Sequence, residues 1–205
     1  MSRTHGCPAR DTLPTLTAHD CARCPLVRAH GDKGRLLPPL VDEPGALTFV
    51  ASGTVVRARL LPDASPLVFD VVTAGEAFAQ RRADEGWADE CRAMTDVKLC
   101  VVPRDVLHDA LARDPASVAP TLAVYERTGD RVAEWSTLRA VSGARERLQH
   151  TLRMLGGTRP SWASLGVLAQ ITGLRRETVC RALRPMPRAS ASGTAPSAAR
   201  LHPTA

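Results

Sequence analysis

Two groups of side chains have types and spacings that can do chemistry. The first is Arg176, Glu177, Cys180 and Arg181, in the run Arg175-Arg-Glu-Thr-Val-Cys-Arg-Ala-Leu183. On a helix these four share one face, while Val179 and Leu183, four apart, fall on another that can be buried. Arginine pairs bidentately with guanine in the major groove, and glutamate accepts from cytosine N4, so this face has the chemistry to read base pairs. Exposed Arg and Glu are also ordinary solvated surface, so the face needs a supporting fold to carry meaning. The second group is Cys21-Ala-Arg-Cys24, with Cys7 nearby. Two thiols at C-x2-C spacing can turn both sulfurs toward one metal ion. Zinc held by Cys7, Cys21, Cys24 and His19 or His30 suits these residue types, as does thiol redox through Cys21 and Cys24. Cys91 and Cys180 read as structural or incidental thiols.

The face needs elements to hold it. Gly173 lies where two helices must change direction, in a left-handed backbone that glycine accepts. Before it, Ser164 is placed to cap a short helix over Leu165 to Thr172. Further upstream, Leu148, Leu152 and Leu155 stripe a helix over 144–155, which Gly156-Gly157 ends. Pro185 and Pro187 end the arginine-bearing helix, and the Ala-, Ser- and Pro-rich segment 189–205 has the composition of a disordered tail. A long helix is expected from about Ser117 to Val141. Its apolar positions Val118, Leu122, Tyr125, Val132 and Trp135 are interrupted by Gly129. Such a helix serves as a core element or as a dimer seam. The seam is favoured, because palindromic DNA sites ask for a two-fold dimer.

Toward the N-terminus the pattern changes. Leu47–Val50, Thr54–Leu61, Leu67–Val72 and Val97–Val102 read as short strands punctuated by Ser52-Gly53 and Pro62–Pro66. Pro103 opens a helix with Val106, Leu107 and Leu111 on one side. Segment 1–45 carries six prolines and is expected to be irregular. The fold class is therefore α+β. It comprises an irregular cysteine-containing segment (1–45), a small antiparallel β-roll (46–115), a dimerisation helix (116–142), a helix-turn-helix domain (143–188) and the tail (189–205).

Composition bounds the function. The chain has 205 residues, enough for one large domain or two small ones. It is 44 % hydrophobic but only 3 % aromatic, so Leu, Val and Ala must build the core. The net charge of +6 is segregated: residues 139–188 hold ten Arg against Glu146 and Glu177, a local +8, which leaves residues 1–138 at about −3. A basic C-terminal segment on a mildly acidic body is the footprint of a polyanion binder. No apolar run approaches the roughly 18 residues of a membrane span. The start Met1-Ser-Arg-Thr-His-Gly-Cys7 lacks the apolar stretch of a secretory signal, so a cytoplasmic location with reduced thiols is expected. No cysteine falls in a nucleophile motif and no Gly-rich phosphate loop is present, so an enzyme is not expected.

The order of roll, long helix and helix-turn-helix resembles the cyclic-AMP receptor protein / fumarate-nitrate regulator family of bacterial transcription factors. Arg176-Glu-Thr-Val-x-Arg-x-Leu183 is similar to that family's recognition helix, Phe49-Val-Ala-Ser-Gly-Thr-Val55 to a strand-turn-strand of its roll, and Cys100-Val-Val-Pro-Arg-Asp-Val-Leu107 to the strand and helix that leave it. The resemblance implies a winged-helix-like domain, a homodimer, double-stranded DNA and RNA polymerase as partners, and Arg176, Glu177 and Arg181 as base readers. Cys180 takes a slot usually held by Ser or Gly. Arg175, counted with Cys180 among the DNA-binding candidates, stands where the family commonly has a capping Ser or Thr, and no segment after Pro185 matches the wing. The cyclic-nucleotide cassette begins at Gly75-Glu76 but fails at Ala77-Phe78, so cyclic nucleotide is not expected; Arg81 and Arg82 have the charge to touch a phosphate, but a lone pair of arginines is usually solvated surface. The fumarate-nitrate branch holds an iron–sulfur cluster on N-terminal cysteines and one roll cysteine. That resemblance implies a cluster on Cys7, Cys21, Cys24 and Cys100, with His30 at the branch's third N-terminal position as an alternative ligand. Cys100 is otherwise a buried apolar filler. The competing reading is a degenerate member, without specific DNA recognition, that acts through protein interaction or zinc and thiol binding.

Overall fold

The computed structural model describes residues 7–16, 24, 26–37, 45–79 and 89–184. Seven strands form two antiparallel sheets. They are β1 (Val27–Gly31), β2 (Leu47–Ser52), β3 (Thr54–Leu60), β4 (Pro66–Thr73), β5 (Ala77–Ala79), β6 (Asp89–Ala93) and β7 (Val97–Val102). One sheet has the order β1-β7-β2-β5, the other β4-β3-β6. Val50, Val55, Val72, Phe78, Leu99 and Val101 meet in the core between them. Each such side chain stabilises the roll by about 1.5–3 kcal/mol relative to exposure. The β2–β3 turn requires Gly53: its φ is +88°, and a Cβ there would lie 2.3 Å from the Asp96 carbonyl oxygen.

Segment 1–45 is not wholly irregular, which corrects the expectation from its prolines. β1 arises within it and pairs with β7 along its whole length. The roll therefore begins before Ala46. Leu36 adds an isolated bridge to Arg92. A turn segment over 7–16 also docks, burying Ala9 and Leu13 against Phe49, Val102 and Val124.

Five helices follow: α1 (Arg104–Arg113), α2 (Val118–Thr137), α3 (Ala144–Met154), α4 (Leu165–Thr172) and α5 (Arg176–Leu183). Pro103 ends β7 and precedes α1, because it lacks the N–H that a strand or a helix interior would need. α2 stops earlier than the expected Val141 and passes into a 3-10 turn, Leu138–Ala140. The sequence pattern puts Trp135 on the dimer stripe, and the structure corrects this. It is 4 % exposed and packs with Leu138 against Val56, Val68 and Val71 of the roll and Ile171 of α4. The reason is phase: at 3.6 residues per turn Trp135 lies about 100° from Val118. It belongs to the roll-facing stripe with the buried Val124. Val118 and Leu122 are exposed, while Tyr125 and Val132 are half-buried. No described helix is long and apolar enough to cross a membrane.

Candidate nucleic-acid interface

The candidate face is built on α3, α4 and α5. Leu148, Leu152, Leu168 and Val179 interlock in one buried cluster, with Leu174 and Leu183 packed against it. α4 begins where expected, with the Ser164 hydroxyl accepting from the Val167 N–H at 3.2 Å. It ends at Gly173, whose φ of +65° turns the chain, and the Leu174 N–H closes the turn on the Ala169 carbonyl at 3.1 Å. A Cβ at Gly173 would meet Arg139 only at ordinary contact distance, 3.5 Å, so the left-handed backbone and not space selects glycine. α5 follows, with Val179 fully buried beneath it. Arg175, Arg176, Glu177 and Arg181 are exposed and Cys180 is half-buried. The expected face is therefore brought together on one side of α5. Arg175 occupies the N-cap position and its side chain makes no capping bond. Glu177 in the first turn and Arg181 in the last both suit the helix dipole. Residues after Arg184, where a wing would follow, lie outside the described residues.

Two arginines that the sequence did not single out tie this unit to its surroundings. Arg147 of α3 donates from Nε (2.9 Å) and Nη2 (2.6 Å) to the Val141 carbonyl and from Nη1 to the Thr172 carbonyl at 3.1 Å. Arg139 donates to the Val68 carbonyl of β4. Burial and the neighbouring Arg147 push the Arg139 pKa below the ordinary arginine value. These two side chains connect the roll, the segment that follows α2 and the α3–α5 unit, and nothing in their local sequence marks them.

The roll is fastened to α2 by buried charge. Asp70 is fully buried. It accepts from Arg131 at 2.7 and 3.2 Å and from Arg57 at 3.0 Å. Arg131 also donates to the Ala77 carbonyl at 2.8 Å and lies 3.5 Å from Glu76. The Arg57 guanidinium is 4.9 Å from the Phe69 ring centre and 4.8 Å from that of Phe78, a cation–π sandwich. Beside it, Arg57, Phe69, Tyr125, Thr128 and Val132 line a cavity of about 400 Å³ between roll and α2. Gly75-Glu76 forms the β4–β5 turn, where the Glu76 carboxylate accepts from the Thr73 N–H and, at 2.9 Å, from its hydroxyl. Arg81 and Arg82 lie outside the described residues.

Three of the four expected metal-binding cysteines also converge. Cys7, Cys24 and Cys100 line a cavity of about 320 Å³ together with His30. Cys21 and His19 lie outside the described residues. Among the described residues no group of three or more His, Cys, Asp or Glu could hold a metal ion, so the described donors do not by themselves form the cage that an iron–sulfur cluster or zinc requires.

No family model matches the chain, and no curated protein matches it. Solved structures do share its fold. FixK2 from Bradyrhizobium japonicum superposes with a TM-score of 0.62 at 22 % identity, over 77 % of this chain and 82 % of that one. A cyclic nucleotide-binding domain containing protein from Listeria monocytogenes gives 0.68 at 14 % identity, over 86 % and 88 %. A transcriptional regulator of the CRP family from Thermus thermophilus gives 0.55 at 23 % identity, over 76 % and 82 %. At these identities the likeness is one of fold.

Proposed function

We propose that the chain is a sequence-specific, DNA-binding transcriptional regulator of the CRP/FNR type. It works as a homodimer on a two-fold site and recruits RNA polymerase, with the roll as its sensory domain. The observation that carries this reading is the α5 face. Arg176, Glu177 and Arg181 are exposed together on a helix whose opposite side is locked by the buried Val179. The local excess of arginine between residues 139 and 188 supplies the phosphate-directed charge such a face needs. Selection from a pool of random duplexes at low salt tests it. Enrichment of a repeated half-site with two-fold symmetry supports the regulator, and a pool that emerges unenriched rejects it.

The signal belongs to the same proposal. The cysteines of the N-terminal segment and roll are the sensory group, and the response is to oxygen or redox state. With Cys21 completing the donor set, an iron–sulfur cluster would supply an oxygen response. Without it, Cys7, Cys24 and Cys100 respond to redox state as thiols.

A further inference from the structure

Cys7, Cys24 and Cys100 come from three separate stretches of chain, yet line one cavity, and the same wall carries Arg28, His30 and Lys98. Strand register explains the company they keep. Arg28 is paired with Cys100, and His30 with Lys98, across β1 and β7. Residues directly opposed in an antiparallel ladder project to the same side. Among the described residues no carboxylate lines this cavity. The exposed guanidinium of Arg28 and ammonium of Lys98 beside half-buried thiols attract a negatively charged reactant, an attraction that added salt screens.

We propose that this cavity is a thiol-exchange site for an anionic, carboxylate-bearing disulfide of low molecular weight, an inference that rests on the redox reading above. One cavity thiol attacks a sulfur of the disulfide. A bond forms from the cysteine sulfur to that atom as the disulfide bond breaks, and the departing thiolate takes up the cysteine's proton. The cysteine is oxidised to a mixed disulfide and half of the reagent is reduced to a thiol, so no further oxidant is needed. The adduct has a route to the rest of the molecule. The three cysteines pack against the cluster that buries Ala9 and Leu13 of the docked N-terminal turn and Val124 of α2.

Oxidised glutathione is the probe, applied to the full chain at low ionic strength without DNA, followed by alkylation and peptide mass mapping. The expected first product is one glutathionyl group on Cys7, Cys24 or Cys100, ahead of Cys91 and Cys180. Burial, outweighing the opposing effect of Arg57, pushes the Cys91 thiol pKa up and makes it the slow comparator. The double substitution Arg28→Ala, Lys98→Ala is expected to slow the reaction about tenfold, while the rate with the neutral disulfide of 2-mercaptoethanol stays unchanged, which separates lost attraction from lost folding. Equal glutathione rates in the two proteins, first modification at Cys21 or Cys180, or stoichiometric iron or zinc that blocks the adduct would each overturn the proposal. Because no DNA is present, this result is independent of the duplex selection.

Discussion

Arg181 stands exposed in the last turn of α5, on the face that carries Arg176 and Glu177. A bidentate arginine contact discriminates one base pair by about 1–3 kcal/mol. Arg181→Ala is therefore expected to relax preference at one position of each half-site and leave the others intact, as read from the enriched sequences of a duplex selection. An unchanged preference would show that another face reads the bases. Asp70 tests a different kind of residue, because it is buried between Arg57 and Arg131. Asp70→Asn leaves the buried Arg57 guanidinium without its counter-charge and Arg131 with Glu76 alone, and breaking such a buried group by removing one partner costs about 3–5 kcal/mol. A lower midpoint in urea unfolding is the expected reading, and an unchanged midpoint would mean that the network carries little of the fold's stability. The two residues were not equally legible. The spacing of Arg176, Glu177 and Arg181 displays their shared face directly. Asp70 reads as the polar position of an alternating strand, because its partner Arg131 is 61 residues away. Sequence patterning is local, and pairing across that separation leaves no local trace.

The helices show the same contrast in their ends. Ser164 caps α4, but the Arg175 side chain offers no acceptor to the first N–H groups of α5. Arg175→Ser supplies one and is expected to stabilise the protein by about 1 kcal/mol, seen as a higher melting temperature. It also removes an exposed guanidinium, so the dependence of DNA affinity on salt should become shallower by about one phosphate contact. A variant that gained no stability would place the weakness of α5 elsewhere. Capping and glycine signals are strong and short-range, which is why α3, α4 and α5 were legible to within a residue or so. The missed strands lacked any such signal. β1 (Val-Arg-Ala-His-Gly) and β6 (Asp-Glu-Cys-Arg-Ala) each carry only two apolar side chains, and β5 has three residues. Neighbours hold these strands in place: β1 pairs with β7, β5 with β2 and β6 with β3. Trp135 falls on the wrong stripe in the sequence for a related reason. An apolar residue near helical spacing belongs to a stripe, but α2 has two stripes, and only the packing partner tells which is which.

At the scale of the molecule, α2 carries one buried and one exposed apolar stripe. Its inner stripe runs through Val124, Arg131 and Trp135 and fixes the roll and helix-turn-helix to the same rod, with Ile171 of α4 packed into the shared core. Its outer stripe leaves Val118 at 38 % and Leu122 at 56 % exposure, free to meet a second copy in the proposed homodimer. If two copies meet there, each delivers one α5 to a half-site, and the second contact becomes intramolecular. Linking two such contacts raises overall affinity by about 10²–10⁴-fold over one. Leu122→Glu places a charge at this seam without touching the roll-facing stripe or α5. The expected outcome is a monomer by light scattering, an unaltered circular dichroism spectrum and a loss of DNA affinity of about a hundredfold or more on a two-half-site duplex. On a duplex with a single half-site the variant and the parent should bind alike. A variant that remained dimeric would mean that the copies meet elsewhere. One that became monomeric yet kept full affinity would mean that a single α5, with its surrounding arginines, suffices for recognition.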